Sequence, residues 1–240
     1  AILPPGCFCG VTGKAAHTGK ISMKAMILAA GFGTRLLPLT ASIPKPLVPV
    51  ANVPLIDRII SRLAAFGVTA VVVNAHHHQD RLARHLARGK TSGIEVEVRV
   101  EKEILGTGGG IKNTEDFWDD DPFVVVNGDI LTDIDISAAF EQHLLNRPPA
   151  TLVLHDCTQF NKIVIDGDTV KCIPREYTPE TAGTLAFTGI QIVEPSLLAF
   201  IPPGRFSDIM DCYRNLMAAG IPVGAHVVSG HRWREIGTVS

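Results

Sequence analysis

Residues 25–40 read Ala25-Met26-Ile27-Leu28-Ala29-Ala30-Gly31-Phe32-Gly33-Thr34-Arg35-Leu36-Leu37-Pro38-Leu39-Thr40. An uninterrupted apolar run that ends at glycine predicts a strand buried on both faces and running into a loop, as in parallel sheets. Ala70-Val71-Val72-Val73 and Phe123-Val124-Val125-Val126 repeat that pattern. Between these runs, Leu55, Ile59, Leu63 and Phe66 recur at helical spacing and predict an amphipathic helix over 55–66. Leu82, His85 and Leu86 mark a second helix, and a third runs from Ile136 to Leu145. Ile94, Val96, Val98 and Val100 alternate with polar residues, as in a strand with one wetter face. Strands alternating with helices predict an α/β fold with a doubly wound, mostly parallel sheet, whose ligands bind at the carboxyl ends of the strands.

The second half reads differently. Residues 151–154, 162–165, 170–173 and 185–193 read as strands, with Asp166-Gly167-Asp168 as a hairpin turn. A helix over 208–219 carries Ile209, Tyr213, Leu216 and Met217. One continuous mixed sheet over 23–240 is expected rather than two domains. Residues 1–22 hold Pro4-Pro5, Thr12-Gly13 and Thr18-Gly19 and no hydrophobic period, so they read as a flexible extension without function.

Composition narrows the function classes. Of the 240 residues 46% are hydrophobic and 19% charged, which suits a chain with a sizeable core. Lys and Arg number 22 against 24 Asp and Glu, so a general nucleic-acid coat, which needs a basic surface, is not expected. No apolar run reaches the roughly 18 residues of a membrane span. The five cysteines, Cys7, Cys9, Cys157, Cys172 and Cys212, form neither a disulfide framework nor a paired zinc motif, which favours a reducing, cytoplasmic setting.

The loop after the first strand is where chemistry is expected. Gly31 and Gly33 let backbone N–H groups approach an anion, and the Arg35 fork suits phosphate oxygens. This is not a dinucleotide fingerprint, because Leu36 stands at the third glycine position of GxGxxG, and that removes a nicotinamide-dependent dehydrogenase. Nor is there a phosphate-binding Walker loop: Gly89-Lys90-Thr91 has Arg84 where the earlier glycine belongs. In Pro44-Lys45-Pro46, residues before proline avoid the helical region, so Lys45 is expected on a stiff, extended segment that aims its ammonium at low entropic cost. Asn127-Gly128-Asp129 reads either as a hairpin turn or as a strand-end metal carboxylate. His76-His77-His78 does not converge on one ion on a regular backbone, and reads as a cluster at a helix N-terminus near the substrate rim.

Gly31-Phe32-Gly33-Thr34-Arg35, Pro38, Thr40 and Pro44-Lys45-Pro46 together resemble the signature of the sugar-phosphate nucleotidyltransferases, the nucleoside-diphosphate-sugar pyrophosphorylases. The resemblance runs along nearly all of 24–238. It implies a Rossmann-like, glycosyltransferase-A-like nucleotidyltransferase fold. It also implies transfer of a nucleotidyl group from an NTP to a sugar 1-phosphate, with release of pyrophosphate and a need for Mg²⁺. Neither nucleic acid nor membrane is an implied partner. Leu105-Gly106-Thr107-Gly108-Gly109-Gly110-Ile111 resembles the family's second glycine-rich segment, which lies against the base and its sugar. Asp129 matches the family's strand-end Mg²⁺ ligand. Trp233-Arg234-Glu235-Ile236-Gly237-Thr238 matches the segment of the second ligand, with Glu235 where the family usually has aspartate. Phe187-Thr188-Gly189, with Gly183-Thr184-Leu185, resembles the sugar-binding strand.

The roles implied by the resemblance are these. Arg35 and Lys45 are catalytic, the first on the outgoing pyrophosphate and the second near the α-phosphate. Leu28, Ala30, Gly31, Gly33, Thr34, Gly108 and Gly109 bind the nucleotide. Asn127, Gly128, Thr188 and Gly189 bind the sugar, and Asp129 and Glu235 hold Mg²⁺. The family's Glu-Lys-Pro segment is missing, with Pro174-Arg175-Glu176 the nearest stretch. Short members that lack it act on N-acetylmuramate 1-phosphate and on mannose- or heptose-type 1-phosphates. Family members usually continue beyond Thr238, so a domain truncated at its C-terminus is expected. The rival reading is a non-catalytic, nucleotide-sugar-sensing relative.

Overall fold

The computed structural model describes residues 23–89, 93–176 and 184–237. The extension 1–22 with Cys7 and Cys9, Lys90 and Thr91, Gly183 and Thr238 lie outside the described residues. In chain order the first part comprises β1 Met23–Leu28, β2 Pro49–Val50, β3 Val53–Pro54, α1 Leu55–Ala65, β4 Val68–Ala75, α2 Gln79–Arg88 and β5 Glu95–Val100. Then come α3 Gly106–Lys112, β6 Phe123–Asn127, β7 Ile130–Thr132 and α4 Ile136–Asn146. The second part holds β8 Ala150–His155, β9 Ile163–Asp166, β10 Thr169–Cys172, β11 Thr184–Val193, α5 Ile209–Ala218, β12 Gly224–Val228 and β13 Trp233–Glu235.

Nine strands form one sheet in the order β5-β4-β1-β6-β11-β8-β12-β10-β9. The first four are mutually parallel. β11 runs antiparallel to both β6 and β8, and β10 antiparallel to its two neighbours, so these two alone oppose the remaining strands. The apolar runs alternate between two buried faces. Ala25, Ile27, Val71, Val73, Val124 and Val126 pack under α1, α2 and α4. Met26, Val72, Phe123 and Val125 pack under α3 and α5. Each such fully buried aliphatic side chain contributes on the order of 1.5–3 kcal/mol of transfer free energy. A polar residue in these runs would face a helix on either side, which is why the runs read as continuous.

α4 starts where Asp135 accepts hydrogen bonds from Ser137 N and Ala138 N, and α5 where Asp208 accepts one from Met210 N. The expected hairpin is present: β9 and β10 pair through a turn with Gly167 at φ 57°. One expectation is corrected. Lys45 does not lie on extended backbone; it opens a 3₁₀ turn over Lys45–Leu47, flanked by extended Pro44 and Val48. The 106–110 glycines are themselves the first turns of α3. No helix among the described residues is long and apolar enough to cross a membrane.

Candidate active site

Because β4, β1 and β6 are parallel, Asn74, Leu28 and Asn127 come together at one edge of the sheet. The loop leaving β1 turns back sharply there. Gly33 sits at φ 64°, and the Thr40 hydroxyl donates to its carbonyl at 2.8 Å. A Cβ at Gly33 would stand 3.0 Å from Thr40 Cγ2 and 3.1 Å from Lys45 Cβ, so both the positive φ and the close approach call for glycine. The fold-back brings Arg35 and Lys45 onto the same cavity.

Two charge pairs form there, one within that cavity and one between Arg35 and the neighbouring Glu235. Lys45 Nζ lies 2.6 Å from Asp129 Oδ2, and Arg35 Nη2 lies 2.6 Å from Glu235 Oε1. Asp129 is held by its backbone: Gly128 N donates to Leu28 O at 2.8 Å, and Ile236 N donates to Asp129 O at 2.8 Å. β7 and β13 form a small antiparallel ribbon in which Glu235 pairs with Ile130, one residue from Asp129. The ribbon is what joins carboxylates that are distant in sequence. The side chains of Lys45 and Asp129 are 14% and 22% exposed, whereas Arg35 is 61% exposed, so the second pair is the more easily exchanged with solvent or ligand.

The donor set fits Mg²⁺. That ion is typically held by one or two carboxylates together with waters and substrate phosphates rather than by an all-protein cage. Asp129 and Glu235 border one cavity. No group of three or more acidic, histidine or cysteine side chains suited to a metal occurs among the described residues.

The cavity at the sheet edge has a volume of about 350 Å³. It is lined by Leu28, Ala30, Gly31, Gly33 and Thr34, and by Arg35, Lys45, Asn127, Gly128 and Asp129. A second cavity of about 540 Å³ shares Arg35, Asn127 and Asp129 and adds Gly189 and Glu235. Three predicted site residues line neither cavity. Gly108 and Gly109 face the 205–209 segment: their Cβ atoms would meet Ser207 Oγ at 2.9 Å and Arg205 O at 2.5 Å. Their missing side chains let α3 pack on backbone. Thr188 is buried and donates to Val153 O at 2.8 Å.

Several lining residues were not anticipated. Asn74 Oδ1 accepts from Ala29 N at 2.7 Å, and its amide donates to Glu101 Oε1 at 2.7 Å. Glu101, 2% exposed, also accepts from Leu105 N at 3.0 Å. Asn74 closes an apolar strand just as Asp129 follows one, so the same signal marked it. In the larger cavity Gln159, Phe160, Lys162 and Gln191 carry no local motif, and Trp233 opens the Glu235 segment without having been assigned to the site. The three consecutive histidines do not converge: His76 Nδ1 lies 2.9 Å from Glu101 O, His78 Nε2 lies 3.1 Å from Ala41 O, and the His77 ring is tilted against that of His78. Arg175, in the stretch nearest to Glu-Lys-Pro, pairs with Asp211 at 3.0 Å.

Comparison with known proteins places this arrangement in a class. The nucleotidyl transferase family model matches residues 24–240, and the chain belongs to that family. It is 32% identical to the UTP–glucose-1-phosphate uridylyltransferase of Synechocystis sp., covering 90% of this chain and 61% of that protein. It is 31% identical to the mannose-1-phosphate guanylyltransferase of Mycobacterium tuberculosis, covering 89% and 61%. The N-acetylmuramate alpha-1-phosphate uridylyltransferase of Neisseria meningitidis is 35% identical, covering 90% and 94%. The chain thus spans about three fifths of the first two relatives and nearly all of the third. Among solved structures, a Bacillus anthracis protein assigned as a glucose-1-phosphate thymidylyltransferase and crystallised with sucrose superposes with a TM-score of 0.79 at 25% identity, covering 90% and 91% of the two chains. HddC from Yersinia pseudotuberculosis, complexed with GMP-PN, shares the fold with a TM-score of 0.76 at 24% identity, covering 90% and 95%.

Proposed function

We propose that the chain, read as a single nucleotidyltransferase domain over 23–240, transfers a nucleotidyl group from an NTP to a sugar 1-phosphate. The observation that carries this is the crossing of two cations and two carboxylates at the carboxyl edge of the sheet, Lys45 with Asp129 and Arg35 with Glu235. In the proposed reaction the triphosphate takes over Arg35 and Lys45, which frees both carboxylates. One divalent cation at Asp129 and Glu235 would offset the two carboxylate charges that the side-chain cations leave. Mg²⁺, when bound at Asp129 and Glu235, supplies charge neutralisation on phosphate oxygens. A sugar-phosphate oxygen attacks the α-phosphorus, the bond to the bridging oxygen of the β-phosphate breaks, and pyrophosphate leaves. The attacking phosphate is already anionic, so no protein nucleophile or base is required. Lys45 offsets charge near the α-phosphorus, Arg35 holds the departing pyrophosphate, and the amides of Gly31 and Gly33 assist.

The relatives' names support uridylyl or guanylyl transfer, with glucose, mannose or N-acetylmuramate 1-phosphate as acceptor, and a heptose-type acceptor rests on the sequence resemblance alone. A cytoplasmic setting belongs to this reading, supported by the unpaired Cys157, Cys172 and Cys212. The test is incubation with each NTP, Mg²⁺ and a panel of sugar 1-phosphates, followed by pyrophosphate detection. Pyrophosphate released only when both substrates are present is expected. Nucleotide or nucleotide-sugar binding without release from any pair would leave the sensing relative as the answer.

A further inference from the structure

The larger cavity holds two charges that the proposed transfer does not use, Asp208 and Lys162. Arg35 and Glu235 are paired at 2.6 Å, and Asp129 is paired with Lys45 at 2.6 Å. Asp208 caps α5, accepting from Met210 N at 3.0 Å and from the Thr107 hydroxyl at 3.2 Å. The nearby Arg175 and Arg214 are held by Asp211 at 3.0 and 2.7 Å. Lys162 remains: it lines the cavity, is exposed, and its ammonium has no ion-pair or hydrogen-bond partner among the described residues.

Its place follows from the backbone. Lys162 N donates to Leu185 O at 3.1 Å, just ahead of β9. Farther along β11, Gly189 abuts the phosphate end, since a Cβ there would stand 3.0 Å from Asn127 Nδ2. The strand between 185 and 189 spans up to about 13 Å. Lys162 therefore stands toward the end of the cavity away from Gly189 and Asn127, in a cavity that also has the amides of Gln159 and Gln191 and the rings of Phe160 and Trp233, whose centroids are 5.9 Å apart. Amides and aromatic walls suit neutral sugar hydroxyls and ring faces. An unpaired ammonium in a walled site favours an anion. The 1-phosphate has to sit at the other end to reach the α-phosphorus, so that anion belongs to a different part of the sugar.

We propose that Lys162 receives a carboxylate carried by the sugar, making the acceptor an acidic sugar 1-phosphate. This rests on the transfer reading and names its substrate class.

The test uses pairs of sugar 1-phosphates that differ by a carboxylate: glucose against glucuronate, and N-acetylglucosamine against N-acetylmuramate. Each is measured by kcat/KM and by calorimetric binding. The native protein should prefer the carboxylated member of at least one pair by tenfold or more. Lys162→Gln should bring that ratio near one, and Lys162→Arg should retain most of it. A native ratio near one in both pairs overturns the proposal. So does an equal loss on both members in Lys162→Gln, which would assign Lys162 to the shared 1-phosphate. If no pair releases pyrophosphate but the calorimetric preference exists and vanishes in Lys162→Gln, the transfer reading falls and Lys162 stands. If turnover proceeds and the ratio ignores Lys162, the reverse holds.

Discussion

The two halves of the sheet build their parts of the site in different ways. In the β5-β4-β1-β6 half all strands are parallel, and the lining groups come from loops at their carboxyl ends. Lys45 and Asp129 there satisfy each other at 2.6 Å. In the β11-β8-β12-β10-β9 half directions are mixed, and Gly189 and Gln191 reach the cavity from within β11 itself. Loops on parallel strands place charges where a phosphate chain can displace one partner by another. Strand side chains make a wall, which suits the shape and hydrogen bonding of a sugar. Arg35 pairs with Glu235, which stands on the separate β7–β13 ribbon and lines only the larger cavity, so this pair links the two cavities.

The contrast breaks most sharply at Asp129. Asp129→Asn keeps the shape and removes the charge, so turnover should fall by about 10³-fold, the upper end for loss of one preorganised electrostatic group. Melting temperature should move little, because the residue is held by backbone bonds that asparagine retains. Lys45→Ala should cost about 10²-fold in turnover by the same logic. Turnover that survives either change within a factor of two removes that residue from the chemistry.

Glu235 sharpens the comparison, because it is the contribution of the β7–β13 ribbon, outside both halves, to the charged end. Glu235→Gln should lose about 10²-fold. Glu235→Asp shortens the side chain by one methylene on a backbone adapted to glutamate. It should keep measurable activity with a higher Mg²⁺ requirement, read from Mg²⁺ titrations of rate and of nucleotide binding. Glu235→Gln matching the native protein at every Mg²⁺ level would leave Asp129 alone in the metal assignment.

The halves also differed in how much their sequence revealed. β1, β4 and β6 are legible because buried parallel strands are apolar on both faces, and polar residues at their ends, such as Asp129, stand out. Lys45 lines the cavity from a 3₁₀ turn rather than from extended backbone, because the turn closed by Leu47 N on Pro44 O overrides the local preference of a residue before proline. Gly108 and Gly109 resemble a ligand-facing segment, yet the same absence of side chains serves helix packing on 205–209, and composition does not separate the two uses. Arg35 and Glu235 meet across 200 positions through the β7–β13 ribbon, which has too few residues to show a period. Phe160 and Lys162, in the loop before β9, reach the cavity only through tertiary contacts, so nothing local announces them.

A smaller effect is expected on the sugar wall. Phe160→Ala removes one of the two rings without touching the paired charges. KM for the sugar 1-phosphate should rise about 3- to 10-fold, the size of a single aromatic contact, with KM for the NTP unchanged. A rise in both would mean that the two cavities do not divide the substrates between them.

The smallest effect concerns stability, and it too lies in the second half. His155, at the end of β8, is buried with its Nδ1 3.0 Å from His231 Nε2 and its ring 4.8 Å from that of Trp233. The outer nitrogens, His155 Nε2 and His231 Nδ1, have no partner. Burial, and then the neighbouring His231, hold the His155 pKa below its ordinary value, against a weaker opposing pull from Asp156. Such a group binds its proton more weakly folded than unfolded. Its contribution is fully present above the unfolded value near 6.5 and is lost as pH falls through that value toward the folded one. Glu194 does not interfere: burial pushes its pKa up, but hydrogen bonds from His143 and Arg147 bring it below the ordinary carboxylate value, so its contribution fades only in more acidic solution. His226 is shifted down by burial as well and titrates in the same window, so the informative quantity is a difference between variants. Melting temperature should fall by a few degrees between about pH 7.5 and 5.5 in the native protein. His155→Gln should start lower and lose less over the same interval, because the pair no longer holds a proton-sensitive ring at that place. Parallel melting curves for the two proteins would show that His155 keeps the same proton affinity folded and unfolded, and that the acid loss belongs to His226.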